Sequence, residues 1–161
     1  EGHISFASAH AGHESMDMIT LYGREQILWP DHCVQGSAGA ELDSRIDWRS
    51  MSAIIRKGAE PSCDSYSAFR NNWDPRGERP STGLEGYLRE RGMERVVLCG
   101  LARDFCVKWS AEDAVSAGFN VWVLWDCTRP VDPASDAMVR NALTGLGVRI
   151  VNKGGLDLTC V

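Results

Sequence analysis

The 161-residue sequence has no long apolar run and no stripe of basic residues. Its apolar stretches are too short to span a bilayer, and the chain does not open with the charged-then-apolar segment of a secretion signal. Seventeen basic against 22 acidic residues give a net charge of -5, which argues against nucleic acid or a membrane as the main partner. These absences favour a soluble, cytoplasmic protein.

Paired cysteines are also missing, although the chain contains six cysteines. Without a C-x-x-C spacing, the zinc-finger and thioredoxin-like interpretations both fail. A disulfide framework is typical of small secreted chains with densely and regularly spaced cysteines, and here the cysteines are scattered. We therefore expect mostly free thiols in a reducing compartment, at Cys33, Cys63, Cys99, Cys106, Cys127 and Cys160.

The chain has 43% hydrophobic and 24% charged residues, a composition that fits one globular domain. Continuous rather than alternating apolar runs predict strands buried on both faces of a parallel sheet, at residues 53–57, 95–101, 120–125 and 148–151. Amphipathic patterns with capping residues and terminal glycines predict helices, at residues 82–91, 104–117 and 133–146. This order predicts a three-layer α/β/α domain with a parallel sheet, and the first fifty residues are expected to be loops that carry a site.

Cys106 lies where such a sheet usually binds its ligand. In parallel sheets, ligands bind outside the carboxyl ends of the strands, and a predicted strand ends at Gly100 just before a helix that starts near Asp104. Cys106 would then lie in the first turn of this helix, where free N–H groups favour a thiolate and could hold an oxyanion. A small buried apolar cysteine is the alternative, and position alone does not choose between the two.

Two other segments carry candidate polar side chains. His32 lies in a Pro/Asp turn, where it could bind a metal, transfer protons or simply be solvated. Further histidines nearby match no zinc spacing, at His3, His10 and His13. Lys57 ends the predicted strand 53–57, where it could polarise a thiol or a carboxylate, or reach water.

These segments follow one another in a specific order: WPDHCVQG at residues 29–36, KG at 57–58 with DSYSAF at 64–69, and GLARDFCV at 100–107. In order and wording they resemble the nicotinamidase/pyrazinamidase family of the isochorismatase-like superfamily. Residues 2–8 (GHISFAS) resemble the stretch that follows the family's Asp-x-His metal motif. The resemblance runs from Glu1 to about Pro130, and its first and last blocks together are highly specific.

The resemblance implies an amide hydrolase that converts nicotinamide to nicotinate and ammonia in NAD salvage. Cys106 resembles the nucleophile that forms a thioester, and Lys57 resembles the lysine of the Cys–Lys–Asp triad. The Leu101–Ala102 bond matches the family's cis peptide. The backbone N–H groups of Ala102 and Cys106 would form the oxyanion hole.

The resemblance also implies a substrate pocket and a metal. Trp29, Tyr66 and Leu101 match substrate-binding positions, with Trp29 against the pyridine ring. His32 and His3 match ligands of a divalent metal ion (zinc, iron or manganese), which holds the pyridine nitrogen and bound water. Arg103 departs from the threonine or small residue common in the family, so it could alter substrate preference or face solvent. Homo-oligomerisation stays open.

The chain begins at Glu1 rather than at a methionine. In the family pattern, the triad aspartate and the Asp-x-His pair precede the residue that matches Gly2. The resemblance therefore implies one domain over residues 1–161 whose N-terminal part and first two strands are missing. Open strand edges and apolar faces would follow. We expect these residues alone to be inactive and poorly folded, and the full-length parent to be active.

Two alternatives stay open. A sibling amidase that acts on an N-carbamoyl or ureido amide would share the cysteine chemistry, although the WPDHC block with its metal ligands favours nicotinamide. A non-catalytic α/β binding protein would keep the fold, but its Cys106 would not react with iodoacetamide ahead of the other five cysteines. Isochorismatases proper lack the nucleophilic cysteine, so Cys106 argues against them.

Overall fold

The computed structural model describes residues 2–155. An antiparallel hairpin precedes the main sheet and consists of β1 (Met18–Leu21) and β2 (Arg24–Ile27). Tyr22 and Gly23 both have positive φ, 52° and 75°, as in the tight two-residue turns that match strand twist. The prediction of loops throughout the first fifty residues is wrong here, because four-residue strands offer too few positions for a clear periodicity.

The main sheet has three parallel strands in the order β3-β4-β5. They are β3 (Arg95–Leu101), β4 (Asn120–Arg129) and β5 (Arg149–Val151). Helices alternate with them as α1 (Leu84–Glu90), α2 (Lys108–Ser116) and α3 (Asp136–Gly145). The predicted α/β class with a parallel sheet is confirmed. Within the described residues, no helix is long and apolar enough to cross a bilayer.

The predicted strand at residues 53–57 is absent. This segment is irregular, and its side chains Ile54 and Ile55 are 50% and 36% exposed. An extended segment becomes a strand only when a neighbouring strand pairs with its backbone N–H and C=O groups. Within residues 2–155, β1 pairs with β2, and β3, β4 and β5 form the main sheet, so the apolar run has no strand beside it.

The core lies between the helices and one face of the sheet. Along β3, Val96 is 8% exposed but Val97 is 37% and Leu101 is 71% exposed. The expected burial of β3 on both faces is therefore wrong for the part of the chain described. The fully buried core side chains come from β4, α2 and α3, at Val123, Ala111, Ala114, Val139 and Leu143.

Local capping differs from the sequence pattern at two helices. The N-cap of α1 is Gly83 with φ 89°, although the Thr82 hydroxyl still accepts from the N–H of Leu84 at 3.2 Å. The predicted helix from residue 104 starts instead as a π-helical turn, Arg103–Val107, which continues into α2. Gly118, with φ 83°, follows the end of α2 as expected.

The described cysteines are free thiols, as expected. Cys63 is buried, Cys106 is half-buried, and Cys33, Cys99 and Cys127 are exposed. Cys160 lies outside the described residues.

Candidate active site

The elbow between β3 and α2 carries Cys106. The Leu101–Ala102 peptide bond at the end of β3 is cis. The carbonyl of Ala102 then accepts from the N–H groups of Phe105 and Val107, at 3.3 and 2.9 Å, which closes the π-helical turn. Cys106 therefore stands on a strand-to-helix turn at the carboxyl end of the sheet, which is a usual ligand position in open parallel sheets.

Lys57 reaches this cysteine from a segment 49 residues away. Its ammonium Nζ lies 3.6 Å from Cys106 Sγ and donates to the carbonyl of Ser65 at 2.5 Å. Lys57 thus bridges the thiol and the DSYSAF block. An ammonium at this distance stabilises a thiolate, which is the reactive form of cysteine.

Three aromatic rings form a wall beside the elbow. Trp29 meets Phe105 and Tyr66 edge to face, with centroids 4.8 and 6.1 Å apart, and Tyr66 meets Phe105 at 5.5 Å. Sequence reasoning singled out Trp29 and Tyr66 but not Phe105, which directly precedes Cys106. Its place next to Cys106 in the GLARDFCV block was the available signal.

A buried polar network supports this wall from behind. The Tyr66 hydroxyl accepts from Trp29 Nε1 at 3.1 Å and from Gln26 Nε2 at 3.2 Å. Gln26 also donates to the Asp64 carboxylate at 2.7 Å, and Asp64 accepts from the N–H of Ser65 at 2.7 Å. Burial, reinforced by the Asp64 charge, raises the pKa of Tyr66 well above its ordinary value, so the phenol stays neutral. Gln26 was missed because β2 carries no motif.

The two histidines assigned to a metal both lie against the ring of Phe6. The centroid of the Phe6 ring is 5.3 Å from that of His3 and 5.5 Å from that of His32. Each imidazole Nδ1 meets a protein oxygen, Ser5 Oγ at 2.8 Å for His3 and the carbonyl of Pro30 at 2.7 Å for His32. Among residues 2–155, the buried Nε2 of His3 finds no hydrogen-bond partner. Such an arrangement suits metal ligands, whose second nitrogen is usually held by a protein oxygen.

The other histidines do not join this pair. His10 Nε2 lies 2.7 Å from the carbonyl of Ile4, and His13 pairs with Asp17 at 3.3 Å. Across residues 2–155, no three His, Cys, Asp or Glu side chains converge as a metal cluster. The described residues therefore offer two matching ligands and not a complete metal site.

Leu101 and Arg103 occupy places that the sequence did not reveal. Leu101 shares the uncovered face of β3 with Val97 and Cys99, because alternate residues of a strand point to the same side. Arg103 neither faces solvent nor lines the aromatic wall. Its side chain is 5% exposed and donates to the hydroxyl and carbonyl of Thr128, which rules out the solvent-facing one of the two alternatives.

The structure is a parallel α/β domain with a cysteine at its strand-to-helix elbow, and comparison with known families agrees with this class of fold. The family model for the isochorismatase domain matches residues 8–152, so this chain belongs to the isochorismatase family.

Curated relatives narrow the similarity to nicotinamidases. The nicotinamidase of Acinetobacter baylyi is 48% identical over 130 residues, which cover 81% of this chain and 59% of the relative. The nicotinamidase of Saccharomyces cerevisiae is 31% identical over 164 residues, which cover 94% of this chain and 74% of that protein. The chain thus spans about three fifths of the first relative's length.

Solved structures give the same family. A nicotinamidase/pyrazinamidase of Acinetobacter baumanii superposes with a TM-score of 0.86 at 39% identity, over 93% of this chain and 71% of that one. The nicotinate complex of PnC1 from L. infantum gives 0.80 at 39%, over 98% and 69%. The zinc complex of the Pyrococcus horikoshii pyrazinamidase gives 0.71 at 31%, over 94% and 69%.

Proposed function

We propose that the protein containing these residues is a cytoplasmic nicotinamidase, which hydrolyses nicotinamide to nicotinate and ammonia in NAD salvage. One observation carries the proposal. Lys57 Nζ stands 3.6 Å from Cys106 Sγ, and Phe105 connects this pair to the aromatic wall of Trp29 and Tyr66. A flat aromatic carboxamide is the class of substrate that suits a thiol beside such a wall.

The reaction follows from the chemistry of the elbow. The Cys106 thiolate attacks the carboxamide carbon, and negative charge develops on the carbonyl oxygen, which the N–H groups of Ala102 and Cys106 would stabilise. The C–N bond then breaks, and the nitrogen takes up a proton and leaves as ammonia. Water cleaves the resulting thioester, which releases nicotinate and restores the thiol.

The described residues of the site would have different roles in this reaction. Lys57 holds the charge of the thiolate, and Ser65 orients Lys57 through its carbonyl. Trp29 and Phe105 would line one side of the pyridine ring and keep water from that side. In the family that this chain resembles, an aspartate of the triad would carry out the proton transfers. The resemblance matches that aspartate to no residue of this chain.

A divalent metal ion is part of the same proposal. His3 and His32 would hold it, since each presents one imidazole nitrogen while the other is held by a protein oxygen. When bound, the ion supplies Lewis-acid attraction for the pyridine nitrogen and for water. The zinc complex of the P. horikoshii relative supports a metal in this family, and zinc, iron and manganese are the candidates here.

Ammonia release by the whole encoded protein tests the function. We expect turnover of nicotinamide and pyrazinamide that disappears in Cys106→Ala and falls at least about a hundredfold in Lys57→Met. Lys108→Met is the matched control, because Lys108 is a partly buried lysine that pairs with Glu112 one turn along α2 at 2.8 Å. Turnover of an N-carbamoyl amide without turnover of nicotinamide would establish the sibling amidase instead. A folded, metal-loaded protein without either activity would contradict an enzymatic role.

A further inference from the structure

A bulge in β4 lies next to the elbow. The register pairs Leu98 with Val123 but Gly100 with Thr128, so β4 advances by five residues while β3 advances by two. Carbonyl groups in such a bulge lose their partners on the neighbouring strand and need other donors. Two carbonyls in this stretch, those of Trp125 and Thr128, accept hydrogen bonds from side chains, including that of Arg103.

Arg103 supplies those donors. Its Nη2 donates to the carbonyls of Trp125 and Thr128 at 3.0 and 2.8 Å, and its Nε donates to Thr128 Oγ1 at 2.8 Å. Nη1 pairs with Asp136 at the start of α3 at 2.6 Å, and the guanidinium lies 3.9 Å above the Trp125 ring. The residue is only 4% exposed. One planar guanidinium therefore joins the elbow to both β4 and α3.

The next residue attaches to the same region. The Asp104 carboxylate accepts from the N–H groups of Val131 and Asp132, each at 2.9 Å, and from Ser135 Oγ at 3.2 Å. Arg103 and Asp104 thus hold residues 128–136 from two sides. Both belong to the π-helical turn that contains Cys106. Any shift of these anchors would displace the turn and its backbone N–H groups.

We propose that Arg103 is a positioning residue for the nucleophile. It touches neither the aromatic wall nor the thiol, and it acts by fixing the turn in which the N–H groups of Ala102 and Cys106 face the reacting carbonyl. The inference rests on the proposed function. A lysine cannot replace this arginine, because a single ammonium lacks the planar fork that reaches several acceptors at once.

The test compares Arg103→Lys with Arg79→Lys in the whole protein. Arg79 is the matched control, because it is also partly buried, pairs bidentately with Asp113 at 2.8 Å and lies over the Trp73 and Trp109 rings. We expect both variants to lose thermal stability. Only Arg103→Lys should lower kcat, by at least about tenfold, with KM changed less than about twofold.

The inference is also tested by a second variant and by a second measurement. Asp136→Asn weakens the ion pair with Arg103 and keeps a side chain of nearly the same size. This variant should lower kcat several-fold. The rate of Cys106 alkylation by iodoacetamide, relative to that of exposed Cys33, should fall in Arg103→Lys and not in Arg79→Lys. This ratio decides the role of Arg103 even if nicotinamide is not hydrolysed. Equal decreases in kcat and in the Cys106 alkylation ratio in both arginine variants, or no decrease in either variant, would overturn the inference.

Discussion

Cys106 and Cys63 show how surroundings rather than residue type set reactivity. Cys106 is half-buried beside the ammonium of Lys57, whereas Cys63 is 1% exposed and its thiol faces the carbonyls of Asp64 and Asn72. Burial, aided by the charge of Asp74, raises the pKa of Cys63 to about 11. The Cys63 thiol therefore resists ionisation in the folded protein, whereas the more accessible Cys106 has an ammonium beside it.

Iodoacetamide labelling at neutral pH measures this difference. Cys106 should react first, because Lys57 stabilises its thiolate. Cys63 should remain unlabelled in the folded protein until the pH approaches 11 and should react once the chain is unfolded in urea. Peptide mapping by mass spectrometry reads out both sites. Labelling of folded Cys63 before Cys106 would contradict the arrangement described here.

Tyr66 gives a second prediction, because its hydroxyl is the acceptor for both Trp29 and Gln26. Tyr66→Phe leaves these buried donors without that acceptor, so the free energy of unfolding should fall by about 1 to 3 kcal/mol. KM for nicotinamide should rise as Trp29 loses its anchor. Tyr87→Phe is the control, since the Tyr87 hydroxyl contacts only an exposed carbonyl, that of Ser52, at 3.3 Å.

The pH dependence of stability checks the same residue. Burial raises the pKa of folded Tyr66, so above about pH 10 the unfolded chain releases this proton while the folded chain retains it. The free energy of unfolding should therefore decrease as pH rises through this range, and less steeply in Tyr66→Phe. An unchanged slope in Tyr66→Phe would show that the phenol is not held in its neutral form.

At the scale of single residues, the sequence predicted the motif positions better than their supports. Cys106 and Lys57 were both identified from the motif blocks, and in the structure their Sγ and Nζ atoms lie 3.6 Å apart. Gln26 and Asp64 could not be chosen in advance, because their role depends on contacts between β2 and the DSYSAF block that only the fold creates. The role of Arg103 was left open, since nothing in the sequence reveals the β4 bulge whose carbonyls it contacts.

Among the elements, the β1–β2 hairpin connects local backbone geometry to the site. β2 carries Gln26 and leads directly to Trp29, so the turn at Tyr22-Gly23 sets where both side chains lie. Gly23 has φ 75°, which other residues adopt only with strain, although a methyl group there would meet no atom within 4 Å. The cost of a substitution is therefore a backbone cost alone.

Gly23→Ala tests this element. We expect a loss of about 1 kcal/mol in the free energy of unfolding and a rise in KM, because the hairpin that carries Gln26 shifts. Gly86→Ala is the matched control, since Gly86 lies inside α1 with open space around it and alanine favours the helix. Chemical denaturation of both variants measures the difference. A stabilised Gly23→Ala would contradict the hairpin geometry.

Sequence patterns predicted elements well where hydrophobicity and capping agreed. The bounds of β3 match the prediction, and α2 and α3 follow their periodicity and terminal glycines. The prediction of a strand at residues 53–57 was wrong, because an apolar segment forms a strand only when another strand pairs with it. β4 extends to Arg129, beyond its predicted end, because the bulge allows pairing with β3 to resume after a polar stretch.

The whole molecule has an α/β core that covers one face of its main sheet. Val97 and Leu101 on the other face of β3 are exposed, and apolar side chains on an open sheet favour association. Sequence blocks predicted the family, and the family model confirms it. Neither the partners of this sheet face nor an oligomeric state could be predicted, because both depend on surfaces rather than on motifs.

The 161 residues expressed alone should therefore expose this apolar sheet face to solvent. We expect them to bind a hydrophobic dye, to melt without a cooperative transition and to release no ammonia from nicotinamide. Leu101→Ser and Val97→Thr should reduce dye binding, whereas Met138→Ser on the exposed side of α3 should change it little. A sharp melting transition together with turnover by these residues would contradict this prediction.

Trapping the acyl-enzyme tests the central claim most directly. The whole protein is mixed with nicotinamide, quenched in acid within milliseconds to seconds and digested, and the Cys106 peptide is analysed by mass spectrometry. The account predicts a nicotinoyl thioester on Cys106 that decays as nicotinate appears and that never forms in Cys106→Ala. Steady release of ammonia without any adduct on Cys106, and undiminished in Cys106→Ala, would contradict it.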